Sequence, residues 1–155
     1  MADGGRTRNG KGATMTRVAA YNDISINSKI TNSLSTKDIR ERAKQMLRGV
    51  EMRNPQFPYP VTISNSGIKE WINQPFKDYA AKNKAILRLP KIFSEAVYLG
   101  YGPDKHDGRR EMHLFGTKIR STESWIIVRD ENHSYRIHSI SDSPKIMNFI
   151  TRKKT

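Results

Sequence analysis

The spacing of apolar positions predicts a helix in residues 35–52, near the start of the chain. Apolar residues recur there with the helical period of about 3.6 residues, namely at Ile39, Ala43, Met46, Leu47 and Val50. Ser35 stands where an N-cap is expected, and Asp38 occupies the capping-box position three residues later. The opposite face is rich in lysine and arginine, which fits either a solvated surface or contact with RNA.

A proline-rich stretch, RNPQFPYP in residues 53–60, follows this helix. Proline cannot continue a helix, so the stretch is predicted to be a linker or domain boundary. Residues 24–34 alternate weakly and fit an edge strand or a loop. The expected organisation has four parts: a disordered basic arm in 1–20, an extension with one amphipathic helix in 21–58, a nuclease-like α+β domain in 59–150 and a basic tail in 151–155.

Helical spacing dominates the first half of the expected domain. A short strand, VTIS in residues 61–64, precedes a helix that starts near SGIKEWINQ and is kinked or restarted at Pro75. Pro90 suits the first turn of a further helix, PKIFSEAVYLG, which Gly100 is predicted to terminate.

From residue 111 onward the apolar positions alternate instead. The segments EMHLFGTKI, SWIIVRD and SYRIHSIS read as three strands, and the last two are joined by the polar turn DENH. A final short helix is expected in PKIMNF. The chain is therefore predicted to be an α+β protein, with N-terminal helices packed against a C-terminal antiparallel β-meander sheet.

Charge indicates the class of partner. The chain has 28 Lys and Arg against 15 Asp and Glu, a formal net charge of +13. The positive electrostatic field of so basic a protein attracts polyanions, so RNA or another nucleic acid is the expected partner. There is no cysteine, and no apolar run approaches the ~20 residues of a membrane span, so no membrane partner is expected. The expected location is the cytoplasm, or else a target cell or a virion into which the protein is delivered.

The candidate chemistry is RNA cleavage by the 2′-OH of the RNA itself. It needs a base, an acid and cations beside the phosphate, and histidine suits both proton-transfer roles. Glu111 and His113 share one face of a predicted strand, and Arg136 and His138 share one face of another. If those faces coincide, His113 and His138 form the acid–base pair, with Glu111 as an orienting group or alternative base.

Phosphate binding is predicted for Arg109, Arg110, Lys118 and Arg136, because the guanidinium fork matches phosphate oxygens. Lys118 lies on the face of Met112 unless a bulge at Gly116 moves it to the other face. The structural alternatives are a cross-strand packing role for His113 and a solvated charge run for the arginine pair. No compact metal-ligand spacing, Walker loop or G-x-S-x-G elbow occurs, so no metal or cofactor is expected.

Residues 61–140 resemble the barnase–EndoU–colicin–RelE nuclease fold, in the variants found in phage head proteins and in large polyvalent proteins of mobile elements. The resemblance lies in VTISNSGIKEWI, LPKIFSEAV, MHLFGTKI and SWIIVRDENHSYRIHSIS. It implies a metal-independent ribonuclease with helices packed on an antiparallel sheet, and an active site on the face of that sheet. Several relatives carry a histidine soon after the "GI" pair, where Lys69 and Glu70 stand here.

Two main functions follow. The first is a metal-independent endoribonuclease or toxin-like domain that leaves a 2′,3′-cyclic phosphate and is neutralised by an immunity or antitoxin protein. The alternative is a non-catalytic nucleic-acid-binding module, or a virion-associated protein, of phage or mobile-element origin.

Overall fold

The computed structural model describes residues 34–104, 109–132 and 134–153. Chain contacts group 36–155 into one compact unit. The expected arm and nearly all of the segment 24–34 lie outside the described residues, as do His106, His133 and the last two residues of the expected tail.

Helix α1 spans Thr36–Leu47 and confirms the first predicted helix. It buries Ile39, Ala43 and Leu47, whereas Met46 is exposed. The helix ends several residues before its predicted end, because Gly49 has a φ of 70°. That left-handed conformation is typical of the residue after a helix terminus.

A β-hairpin, rather than a linker, occupies the proline-rich stretch. Strand β1 (Met52–Asn54) pairs antiparallel with β2 (Phe57–Thr62). Phe57, Tyr59 and Val61 alternate with the prolines along β2, and of these three Phe57 and Val61 are buried. The boundary expected between residues 58 and 59 falls inside β2, and the unit that contains it begins at Thr36.

Three helices follow the hairpin, as the helical spacing predicted. Helix α2 (Asn65–Asn73) is capped by the Ser64 side chain, which accepts from the Gly67 backbone N–H. Helix α3 (Tyr79–Ala85) is capped by Asp78 and runs through a 3₁₀ turn into α4 (Leu89–Glu95).

Strand β3 (Val97–Pro103) corrects the helix predicted up to Gly100. Helix α4 ends at Glu95 and the chain becomes extended two residues later. The register between β3 and the next strand shifts between Tyr98 and Gly100, and Gly100 has a φ of 130°. Only glycine adopts that conformation without strain, so Gly100 serves a β-bulge and not a helix end.

The predicted meander is confirmed as β4 (Glu111–Ile119), β5 (Thr122–Glu131) and β6 (Ser134–Ser141). The expected final short helix is a 3₁₀ helix (Pro144–Phe149), and β7 (Arg152–Lys153) pairs with β3. In the described part, the strands form one seven-stranded sheet in the order β1-β2-β6-β5-β4-β3-β7. All neighbouring strands are antiparallel except β2 and β6, which confirms a mixed α+β fold.

Both faces of the central strands are buried, so we name each face after a residue of β4. The His113 face carries His113, Phe115, Ile126, Val128 and Ile137. The Met112 face carries Met112, Leu114, Ile127, Arg129 and Arg136. Ring contacts join Phe93 of α4 to Phe115 on the His113 face, whereas the C-terminal segment around Phe149 and Ile150 packs on the Met112 face.

Candidate nucleic-acid site at the start of strand β4

A carboxylate–imidazole pair lies at the start of β4. The strand places Glu111 and His113 on the same face, with Glu111 Oε1 3.4 Å from His113 Nε2. This contact lacks hydrogen-bond geometry, and His113 is only 5% exposed. The side chain of Glu111 is half exposed. In this pair the Glu111 carboxylate is therefore accessible to solvent, whereas the His113 imidazole is buried.

Aromatic rings enclose the imidazole. The Tyr98 hydroxyl is hydrogen-bonded to His113 Nδ1 at 2.8 Å. The ring centroids of Phe57, Tyr101 and Tyr135 lie 5.0, 5.3 and 5.6 Å from that of His113. Burial lowers the pKa of His113, opposed in part by the nearby charges of Glu111 and Asp130. The imidazole is therefore neutral near pH 7.

Glu111 of this pair lines a groove of about 330 Å³, which we call the arginine groove. Its lining comprises Tyr101, Gly102, Pro103, Arg109, Arg110, Glu111, Thr151 and Arg152. The lining thus combines three arginines with one half-exposed carboxylate, the side-chain types that can hold a phosphodiester near a base.

The C-terminal segment completes this groove. The Thr151 backbone N–H donates to the Tyr101 carbonyl at 3.0 Å, and Arg152 pairs with Tyr101 in the β7–β3 ladder. A Cβ on Gly102 would lie 1.8 Å from the Phe149 carbonyl oxygen. Glycine at this position therefore allows the close crossing that brings Arg152 to the groove.

A second groove, of about 630 Å³, lies at the junction of β2 and β6. We call it the tyrosine groove, and its lining comprises Glu51, Tyr59, Pro60, Thr62, Asp130, Ser134, Tyr135 and Arg136. The rings of Tyr59 and Tyr135 are stacked, with centroids 4.8 Å apart and an interplanar angle of 17°. Because Tyr135 contacts His113, the two grooves flank the same aromatic cluster.

The predicted pairing of His113 with His138 is wrong. His138 falls where the β5–β6 register skips a residue, and its Nε2 lies 3.3 Å from Arg129 Nη2. Arg129 belongs to the Met112 face and also contacts Asp104 at 2.6 Å. The two histidines thus lie on opposite faces of the sheet. Burial, together with the charge of Arg129, lowers the pKa of His138.

Lys118 and Arg136 are also separated from Glu111. The β4–β5 register passes Gly116 without a bulge, so Lys118 stays on the Met112 face and pairs with Glu123. Seven residues of strand separate it from Glu111, a distance of about 23 Å. Arg136 lines the tyrosine groove and not the arginine groove.

Of the seven predicted site residues, the structure brings together Glu111, His113, Arg109 and Arg110. Their roles remain predictions. Sequence reasoning missed Tyr101 and Arg152 as members of this cluster. Tyr98 and Tyr101 are three residues apart, so a regular strand would place them on opposite faces, and only the register shift at Gly100 brings both to the His113 face. No signal in the basic tail distinguishes Arg152 from its neighbours.

A family model for large polyvalent protein-associated domain 3 matches residues 31–138. The chain belongs to this family. The match confirms the part of the resemblance that concerns large polyvalent proteins and suggests association with phages. Neither the curated proteins nor the solved structures contain a match to the chain.

The region matched to large polyvalent protein-associated domain 3 begins before α1 and includes the β1–β2 hairpin, Glu111 and His113. The arginine groove also draws on Thr151 and Arg152, which lie beyond the matched range. This groove therefore combines residues of the matched region with the C-terminal segment of this chain.

Among the described residues, no three or more His, Cys, Asp or Glu side chains are arranged to hold a metal ion. Similarly, no helix within that part combines the length and apolar character needed to cross a bilayer.

Proposed function

We propose that the domain cleaves RNA without a metal ion, with Glu111 as the general base. One observation carries this proposal: a half-exposed carboxylate, in contact with a buried imidazole, borders a groove lined by three arginines. A carboxylate in that setting can accept a proton from a 2′-OH while guanidinium groups hold the adjacent phosphate.

The proposed reaction uses side chains that line the arginine groove. Glu111 accepts the 2′-OH proton, the 2′-oxygen forms a bond to phosphorus, and the bond from phosphorus to the 5′-oxygen breaks. A 2′,3′-cyclic phosphate remains. Arg109, Arg110 and Arg152 neutralise the charge that develops on the phosphate oxygens. We assign the Tyr101 hydroxyl as the proton donor to the leaving 5′-oxygen, because it lines the same groove.

His113 is a positioning residue in this scheme. In the neutral tautomer that accepts the Tyr98 hydroxyl proton at Nδ1, the ring proton is on Nε2, the atom that contacts Glu111 Oε1 at 3.4 Å. Burial raises the pKa of Tyr98 to about 12, so the phenol remains a donor. Through its contacts with Tyr98 and Glu111, the buried imidazole restrains the position of the Glu111 carboxylate.

The test is cleavage of labelled RNA in excess EDTA by the full chain and by Glu111→Gln. We expect the variant to lose about 100-fold or more in rate, the scale of a general base, and the wild-type product to end in a cyclic phosphate. Glu123→Gln, at the far end of the β4–β5 ladder, is the matched control and should retain full activity. Cleavage that is unchanged in Glu111→Gln would refute the assignment of the base.

Non-catalytic nucleic-acid binding is the second candidate. It is favoured by the position of His138 and the burial of His113, because no histidine is among the described residues that line the arginine groove. Wild-type protein that binds RNA through Arg109 and Arg110 without cutting it would establish this alternative. An immunity protein that covers the arginine groove is expected only for the ribonuclease.

A further inference from the structure

We infer that the tyrosine groove binds one unpaired base of single-stranded RNA and prefers bases with an exocyclic amino group over uracil. The inference rests on the proposed RNA site and names its substrate class. The proposed cleavage reaction does not use the tyrosine groove. Tyr135, which lines this groove, contacts His113 of the Glu111–His113 pair.

Stacking is the first argument. Tyr59 is 49% exposed, although its ring is stacked on Tyr135. Tyr135 occupies one face of the Tyr59 ring, so the exposed surface remains available to a planar ligand. Tyrosine rings that line a groove on a basic protein commonly stack with successive bases of single strands. A duplex cannot use this platform, because its bases are stacked on one another and paired.

Continuity with the proposed cleavage site is the second argument. The rings of Tyr135 and His113 lie 5.6 Å apart, and His113 contacts Glu111. A strand that places a phosphate in the arginine groove therefore passes the tyrosine groove within its neighbouring nucleotides. Arg136 also lines the tyrosine groove, although its position in β6 belongs to the Met112 face.

Base preference follows from the carboxylates. Asp130 lines the groove and pairs with Tyr135 across β5 and β6, which fixes it beside the stacking platform. Glu51 lines the same groove. Ionised carboxylates only accept hydrogen bonds. Cytosine and adenine present amino donors at N4 and N6, whereas uracil presents a carbonyl oxygen at the corresponding position and is disfavoured.

The experiment uses the full-length Glu111→Gln chain in EDTA, so that binding is measured without cleavage. Fluorescence anisotropy compares short oligocytidylate, oligoadenylate, oligouridylate and a duplex RNA of mixed sequence. We expect oligocytidylate and oligoadenylate to bind more tightly than oligouridylate and the duplex. Adding Tyr59→Ala should weaken oligocytidylate binding about tenfold, the scale of one stacked base, while Tyr59→Phe preserves it.

Asp130→Asn should reduce the preference for oligocytidylate over oligouridylate. Tyr79→Ala, which removes another exposed tyrosine outside the groove, is the control and should bind like its parent. Circular dichroism checks that each variant is folded. Equal binding of all oligomers, or no effect of Tyr59→Ala in a folded protein, would overturn the inference. Tyr59-dependent, base-selective binding by a wild-type chain that never cleaves would refute the ribonuclease and support the base site.

Discussion

At the scale of single residues, the alternation of side chains along the strands correctly predicted that Glu111 and His113 share a face. It wrongly placed His138 beside them. Glu111 and His113 share a face because they lie two residues apart on a regular strand. The relation of that face to His138 depends on the register between strands and on the skipped position in β6. Neither can be derived from the spacing of apolar residues within one strand.

Lys82 was not predicted to have any special role, yet it is fully buried. Its Nζ donates to the carbonyls of Trp71, Ile72 and Gln74 at 2.6, 3.0 and 2.6 Å, at the C-terminal end of α2. Burial lowers the pKa of Lys82 to about 8, against the opposing charge of Asp142, so the ammonium is mostly protonated at pH 7. It therefore satisfies carbonyls that a helix terminus otherwise leaves without donors.

Replacing Lys82 with methionine should destabilise the fold strongly. Methionine fills much of the same space but donates no hydrogen bond, so three carbonyls near the end of α2 lose their donor. We expect a loss of about 2–4 kcal/mol in the free energy of unfolding, measured by urea titration. Lys91→Met, at an exposed position of α4, should change stability by less than about 0.5 kcal/mol. Equal stability of the two variants would contradict this role of Lys82.

At the scale of elements, caps and periodicity located the helices and the meander, but not the hairpin or β3. Prolines obscured the alternation of β2. The end of α4 was misplaced because Phe93, Ala96 and Val97 also fit helical spacing, and Gly100 resembles a helix terminator. What decides these segments is pairing with β4 and β6, which is non-local and overrides local preference.

Gly102 controls the element that completes the arginine groove. Because a Cβ at this position would overlap the Phe149 carbonyl, Gly102→Ala should detach the C-terminal segment from β3. The expected result is faster hydrogen exchange of the Thr151 amide, which donates to Tyr101, with a loss of about 1–3 kcal/mol in unfolding free energy. Gly116→Ala is the matched control, since its Cβ would meet the end of the Leu99 side chain at 3.2 Å and backbone, the Val97 carbonyl oxygen, at 3.9 Å. Unchanged exchange of Thr151 in Gly102→Ala would rule out this account.

At the scale of the whole molecule, composition indicated a polyanionic partner, and periodicity indicated an α+β fold. The fold class is confirmed, whereas the partner stays a proposal. The strand order was not predictable, because it brings β2 beside β6 in parallel across a long stretch of chain. That arrangement creates the tyrosine groove from residues far apart in sequence, and the C-terminal segment similarly completes the arginine groove.

Within the described part of the chain, two shielded histidines lie on opposite faces of the sheet and should make the stability depend on pH. Tyr98, Glu111 and Asp130 surround His113, and Arg129, Asp104, Glu70 and Glu131 act on His138. For both histidines burial is the largest effect and lowers the pKa in the folded state, despite the carboxylates. The unfolded chain, with histidine pKa values near 6.5, therefore binds more protons as the pH falls below that value.

The free energy of unfolding should accordingly be highest above about pH 6.5 and decrease as the pH falls through the lowered folded-state pKa values. Urea titrations between about pH 7.5 and about pH 5 measure this decrease, and His113→Gln and His138→Gln should each reduce it. Because the two sites lie on opposite faces and share no direct contact, the double variant should show the sum of the two effects. If the free energy of unfolding decreases equally in the double variant and in the wild type, the pH dependence belongs to the carboxylates instead.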